Sequence, residues 1–267
     1  MASRPLESFM SPRGRILAGT FLLLGLVACG REEVPAEESR PAVCEDAAAS
    51  RVRPQPRVRG QTQCGPTADF TPINSYQGGF ADVAQAAEDA VVLIDGRCTG
   101  TLIEASAGPV VVTAGHCVAL GDRPLIVFNF EDQPDGDPLI TEGTVIEQSL
   151  EPDYALIQLD VLPQATPVLL SSVPGDRLAI IQHPRGKPKV IAEGEYLDAC
   201  DSLLYYADLD TLVGSSGAGV LNRQGQLVGV HTDGDCDEKG RGANRGWTTE
   251  AIVAASPYLV DADIVAR

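Results

Sequence analysis

The 267-residue chain is short of positive charge: 20 Lys and Arg stand against 37 Asp and Glu, a formal net charge of −17. A nucleic-acid binder needs a basic face to neutralise phosphates, so this balance argues against one. Aromatic residues make up only 5% of the chain, while Gly and Pro number 27 and 19. That composition argues against a helical bundle and for a loop-rich soluble protein. Histidine is scarce, with three in all. No Cys-x-x-Cys pair occurs, which argues against a zinc ribbon or a thioredoxin-like site. No apolar run reaches the length of a membrane span. The run Ile16–Ala28 extends about 20 Å as a helix, against a hydrocarbon core of about 30 Å.

What that run does fit is the core of a secretory signal, preceded by Arg4, Arg13 and Arg15. It ends at Leu26-Val27-Ala28-Cys29-Gly30, which resembles the lipobox of bacterial lipoproteins. The resemblance implies cleavage before Cys29 and acylation of that residue. Each buried CH₂ contributes about 0.8 kcal/mol, so several acyl chains make a lasting anchor. Loss of residues 1–28 removes three Arg and one Glu, taking the net charge to −19. So acidic a surface would not adhere to anionic headgroups without the lipid. The expected location is therefore the bacterial cell envelope, after export, with the membrane contacted through the lipid anchor.

Seven cysteines are present, and setting Cys29 aside leaves Cys44, Cys64, Cys98, Cys117, Cys200 and Cys236. An even number in an oxidising compartment favours disulfides, and six cysteines allow fifteen connectivities. Residues 29–75 are rich in Glu, Pro, Arg and Ala, acidic at Glu32–Glu38 and basic at Arg51–Arg59. They read as a solvated tether, within which Cys44 and Cys64 can close a small loop. The globular part is assigned to 76–267.

From Ala90 onward, short apolar runs alternate with Gly, Pro and Asp. Ala90–Ile94, Thr99–Ile103, Val110–Thr113, Leu125–Phe130 and Ala155–Leu159 read as strands. Leu178–Gln182, Val190–Ile191, Leu203–Tyr206, Val220–Leu221 and Leu227–His231 form a second set, with Asn222–Gly225 as a hairpin turn. Helical character appears mainly near the end, at Thr249–Ala255, with Thr248 or Thr249 as its cap. Many short strands at this spacing indicate an all-β protein of barrels or a sandwich.

Three segments carry chemistry: Thr113-Ala114-Gly115-His116-Cys117, Asp153-Tyr154-Ala155-Leu156-Ile157, and Gly214-Ser215-Ser216-Gly217. A serine hydroxyl is a weak nucleophile unless a base takes its proton as it attacks. An imidazole titrates near neutral pH and suits that task. A carboxylate on the other ring nitrogen fixes the tautomer and stabilises the imidazolium. With these residues in the order His, Asp, Ser, the chain from Ala90 onward resembles the trypsin-like (chymotrypsin-fold) serine peptidases. That resemblance implies two antiparallel six-stranded β-barrels and a short C-terminal helix. It implies His116, Asp153 and Ser216 as catalytic residues, the amides of Gly214 and Ser216 as an oxyanion hole, and a Cys98–Cys117 disulfide beside His116. A polypeptide is then the substrate, and no cofactor or metal is needed. Cys200 and Cys236 bracket the nucleophile segment and can pair to brace the second barrel.

Two departures from the family pattern stand out. Ser215 precedes the nucleophile where digestive members carry Asp, and no Ile-Val-Gly-Gly start is present. Activation by a freed amino terminus is therefore not expected. Ala218-Gly219 replaces the usual Gly-Pro or Ser-Pro, which affects local turn geometry. The closer resemblance is to the bacterial glutamyl endopeptidase-like branch, through Asp210-Thr211 and Gly229-Val230-His231. It implies that Thr211 and His231 line a pocket for an acidic side chain, and that Thr232–Gly234 pair with the peptide as an added strand. A rival reading has Asp210 facing the pocket and binding a basic side chain. A third makes His231 a hydrogen-bonded core residue. His183, in His183-Pro184-Arg185-Gly186, resembles a loop of this branch and is not expected to be catalytic. The acidic loop Glu131–Asp137 and the residues Asp233, Asp235 and Asp237 read as solvated turns rather than Ca²⁺ ligands. The alternative to an enzyme is a lipid-anchored pseudopeptidase that binds peptides without cutting them.

Overall fold

A computed structural model describes Cys44 and residues 61–134, 136–234, 236, 239, 241–260 and 264–265. Cys29, Asp135, Asp235 and Asp237 lie outside the described residues, so the lipidation site and part of both acidic turns do too. Two short strands come first, β1 (Gln61–Thr62) and β2 (Thr71–Pro72), followed by a helix, Ala81–Ala87. The strands β3 (Val91–Ile94), β4 (Cys98–Ala105), β5 (Gly108–Thr113), β6 (Leu125–Phe128), β7 (Ile140–Leu150) and β8 (Asp153–Leu159) follow. They close into an antiparallel barrel in the order β3-β4-β5-β8-β7-β6. Closure removes the exposed edges that an open sheet would present. The β-branched runs of β3 and β5 line the barrel, with Val92, Val111, Ile126 and Ile157 fully buried.

The second barrel follows a short strand β9 (Leu170–Ser171). It is built from β10 (Arg177–Gln182), β11 (Val190–Cys200) and β12 (Leu203–Ala207), then, after the two-residue β13 (Thr211–Leu212), β14 (Gly219–Leu221), β15 (Leu227–Gly234) and β16 (Asn244–Thr248). The order β14-β10-β11-β12-β16-β15 closes through a β14–β15 pairing, so this barrel is also six-stranded. The β14–β15 hairpin turns at Asn222, whose amide donates to the Gln226 carbonyl at 3.0 Å. A C-terminal helix, Thr249–Ala255, is capped by the Thr248 hydroxyl, which accepts from the Ala251 amide at 3.2 Å. A last strand, β17 (Ile264–Val265), runs parallel to β9. The expected all-β, double-barrel architecture with its short C-terminal helix is what forms.

Three disulfides are present: Cys98–Cys117, Cys44–Cys200 and Cys64–Cys236. The first is the pairing the family resemblance implied. The other two correct the expectation that Cys44 joins Cys64 and Cys200 joins Cys236. Each instead ties the segment before the barrels to the second barrel. Strand pairing does the same: Thr62 lies opposite Thr211, and Thr71 opposite Ile191. Residues within the 29–75 segment thus share sheets with β13 and β11.

A buried ionic cluster spans the seam between the barrels. Lys189, fully buried just before β11, donates to the Glu88 carbonyl at 2.7 Å, to Glu88 Oε2 at 2.6 Å and to Glu131 Oε1 at 2.6 Å. Glu131 also accepts from Asn74 Nδ2 at 2.7 Å. The acidic loop is thus not solvated at its first residue, because a buried cation claims Glu131. Burial, reinforced by a hydrogen bond with Glu131, pushes the Glu88 carboxyl up to about 8. Burial acts on Glu131 in the same direction, but hydrogen bonds from Glu88, Lys189 and Asn74 bring it below the usual carboxylate range. One proton held between two carboxylates leaves the cluster near neutrality.

Candidate active site

His116 sits on the short 3₁₀ turn Gly115–Cys117 that ends β5, and Asp153 opens β8, the neighbour of β5. Adjacent strands therefore deliver the two side chains to one end of the first barrel. Asp153 holds His116 at two points. Its Oδ2 lies 2.7 Å from the ring Nδ1, and its Oδ1 accepts the His116 backbone N–H at 2.9 Å. Both side chains are partly exposed, so the ring faces solvent from a fixed position.

Ser216 belongs to the turn before β14, in the other barrel. Several bonds across the seam bring that turn against the His116 segment. The Thr99 amide donates to the Ser216 carbonyl at 2.9 Å, and the Thr99 hydroxyl donates to the Gly214 carbonyl at 2.7 Å. Thr101 Oγ1 accepts from the Gly219 amide at 3.1 Å. The Cys98–Cys117 bridge runs alongside, with Cys117 Sγ 3.8 Å from the Ser216 carbonyl oxygen. Gly217 makes the approach possible. At φ +87°, a Cβ there would lie 2.1 Å from Thr113 Oγ1 and 2.2 Å from the Thr99 carbonyl oxygen. Gly214, at φ +99°, likewise leaves no room for a Cβ beside the His183 carbonyl, 2.6 Å away.

The amides of Ser215, Gly217 and Ala218 donate to Leu212, His231 and Ser215 carbonyls. Among the described residues, those of Gly214 and Ser216 donate to no protein acceptor, and the Ser216 hydroxyl makes no hydrogen bond. In unliganded hydrolases such catalytic bonds are often long and tighten only with substrate. Two backbone donors free beside a serine are what stabilisation of a developing oxyanion requires.

The three pocket candidates fare differently. Thr211 is buried on β13, opposite Thr62 of β1. Asp210 is buried too, but its carboxylate accepts the amides of Cys64 and Asp69 at 2.7 and 2.6 Å. Burial raises its pKa against the pull of those two bonds. His231 lies on β15, its Nδ1 2.5 Å from the Tyr206 hydroxyl. Burial lowers its pKa to about 4, against the opposing pull of Asp233 and of a hydrogen bond to the Arg245 backbone. The ring is therefore neutral at pH 7. Burial pushes the Tyr206 phenol well up, so it keeps its proton, and the direction of its bond to Nδ1 follows the His231 tautomer.

His183 is a core residue: its Nδ1 lies 3.0 Å from the Lys187 carbonyl, its ring stacks on Phe130, and burial lowers its pKa to about 4. The loop it starts braces the Gly214–Gly217 turn, since the Arg185 amide donates to the Val213 carbonyl at 2.5 Å. Among the described residues, no group of three or more His, Cys, Asp and Glu is arranged to hold a metal. Sequence reasoning passed over Thr99, Lys189 and Tyr206. Thr99 had a visible signal, a hydroxyl directly beside Cys98 at the start of its strand, whereas Lys189 and Tyr206 had none.

Residues 98–230, which include His116, Asp153, Asp210 and the Gly214–Ala218 turn, match the family model of the trypsin-like peptidase domain. This stretch is similar to a trypsin-like peptidase domain. Solved structures with the same fold include the serine endoprotease from Yersinia pestis, with 16% identity and a TM-score of 0.57 over 70% of this chain and 68% of that one. Deg5 aligns at 18% identity and a TM-score of 0.53, over 68% of this chain and 94% of its own. The MamO protease domain from Magnetospirillum magneticum aligns at 16% identity and 0.50, over 64% and 97%. No curated protein is similar to the chain in sequence. All three solved structures are under 20% identical to this chain, and what they share with it is the fold. The three disulfides point to an exported protein. Among the described residues, no helix is long and apolar enough to cross a membrane.

Proposed function

We propose that the chain is a trypsin-like peptidase and a working serine endopeptidase, with His116, Asp153 and Ser216 as its triad. The observation that carries this reading is the two-point grip of Asp153 on His116. It fixes Nδ1–H toward the carboxylate and leaves Nε2 unprotonated, as a general base requires. His116 takes the Ser216 proton while Oγ bonds to the peptide carbonyl carbon. The Gly214 and Ser216 amides receive the oxyanion. His116 then gives the proton to the leaving amine as the C–N bond breaks. Water, activated by the same base, hydrolyses the acyl-enzyme and restores the serine.

For the primary pocket we propose selection of an acidic side chain by Thr211 and a ring N–H of His231, for which the Arg245 backbone competes. Against a basic side chain stands the engagement of both Asp210 oxygens with backbone amides. We also propose that Cys29 carries the lipid that anchors the protein in the cell envelope, on the strength of its lipobox-like surroundings. Cleavage of a peptide series differing only at Glu, Lys or Leu tests the pocket. Fastest cleavage after Glu is expected, and fastest cleavage after Lys, or equal rates after Glu and Leu, overturns it. Complete absence of cleavage that a Ser216→Ala variant shares supports the peptide-binding alternative. Incorporation of labelled fatty acid, lost in Cys29→Ser, tests the anchor; unchanged incorporation contradicts it.

A further inference from the structure

The segment upstream of the barrels is stitched to the residues on either side of the substrate pocket. Its β1 adds to β13, with Gln61 opposite Leu212 and Thr62 opposite Thr211. Two residues later, the Cys64 amide donates to Asp210 Oδ1 at 2.7 Å, and the Asp69 amide to Oδ2 at 2.6 Å. On the other side Cys64 is bonded to Cys236, just beyond the end of β15. Asn244, fully buried and paired with Gly234, donates from Nδ2 to the Leu209 carbonyl at 2.7 Å and contacts Cys64 Sγ at 3.3 Å. Gln182 closes the base by donating to the Asp210 carbonyl at 2.8 Å.

We infer that residues 61–69 are a built-in wall of the substrate pocket, with Asp210 as the positioning residue that holds them and Cys64–Cys236 as the lock. The inference rests on the reading that Thr211 and the β15 edge form that pocket. It gives the buried Asp210 a use other than binding substrate. It also supplies a physical reason why this chain does without the amino-terminal start and the Asp before the nucleophile. An internal segment already orders the loop 210–216, so no newly freed amine is needed to do so.

Two variants test it in the full chain. Asp210→Asn removes one of two acceptors and turns an amide donor toward a backbone N–H. Cys64→Ser/Cys236→Ser cuts the lock and leaves every Asp210 bond in place, so it carries the test where Asp210→Asn does not fold. For peptide cleavage we expect KM to rise about tenfold or more while kcat changes less than about threefold, the signature of lost uniform binding. In amide hydrogen exchange, residues 211–213 and 231–234 should exchange about tenfold faster or more, with β4 and β5 unchanged. Unchanged KM and unchanged exchange in a folded variant overturn the inference, as does a kcat that falls as far as KM rises. If the parent protein cleaves no peptide, the peptidase reading fails, and the exchange comparison alone decides this one.

Discussion

Replacing Lys189 with Met removes the cation that joins the two barrels while roughly keeping its shape. All three ammonium protons are in use, on the Glu88 carbonyl, Glu88 Oε2 and Glu131 Oε1. Glu88, pushed up to about 8, already holds its proton at pH 7. The charge left bare is therefore that of Glu131, with Asn74 and the Glu88 carboxyl as its remaining donors. Removing one partner of a buried pair costs about 3–5 kcal/mol, and that is the loss expected at pH 7 from urea unfolding followed through the fluorescence of Trp247. The sign of the pH effect follows. Without Lys189 the folded-state pKa of Glu131 moves above its unfolded value, so the variant is favoured at low pH and penalised as pH rises. The difference from the parent should shrink as pH falls from 7 toward 5, and Lys189→Met/Glu131→Gln should recover much of it at pH 7. A loss under about 1 kcal/mol, within the range of ordinary surface substitutions, would refute the reasoning. So would a loss of equal size at both pH values.

Three further outcomes are expected. Asp153→Asn presents the wrong hydrogen-bonding pattern to Nδ1 and should lower kcat by about four orders of magnitude, measured on the best peptide substrate. A fall of less than about tenfold would mean that Asp153 does not set the tautomer. His183 and His231 are both held down to about 4 by burial, so the unfolded chain takes up protons before the folded one. Their contribution is intact above about pH 6.5 and is lost as pH falls through about 4, so His231→Gln should flatten part of the decline in Tm across that window. Cys98→Ser/Cys117→Ser opens a loop whose ends are 19 residues apart and should cost about 3 kcal/mol, with labelling of Ser216 falling further than global stability explains. No change in labelling would show that the bridge does not steady the His116 turn.

Much of the fold was legible because the barrels bury β-branched runs that stand out in the sequence, such as Val110-Val111-Val112 and Ile180-Ile181. Strand β7 was not legible: it buries Thr141 and leaves Ile140 62% exposed, which inverts the hydrophobic alternation that marks a strand. The segments around His116, Asp153 and Ser216 stood out because each sets a reactive residue type at a strand end or in a glycine turn. The disulfide partners of Cys44 and Cys64 could not, since they lie 156 and 172 residues away and nothing local records such closures. Asp210 was ambiguous for a related reason. Its two partners are backbone amides of a segment whose composition resembles a linker, and amides carry no sequence signal.

The central claim is that Ser216 is activated by His116 under the control of Asp153. Reaction of the purified protein with a fluorophosphonate probe tests it most directly, because the probe phosphonylates only a serine whose proton is being removed and whose oxyanion is being received. Stoichiometric labelling at Ser216 is expected, abolished in Ser216→Ala and His116→Ala. Folded protein that stays unlabelled, or labelling that survives Ser216→Ala, would contradict it.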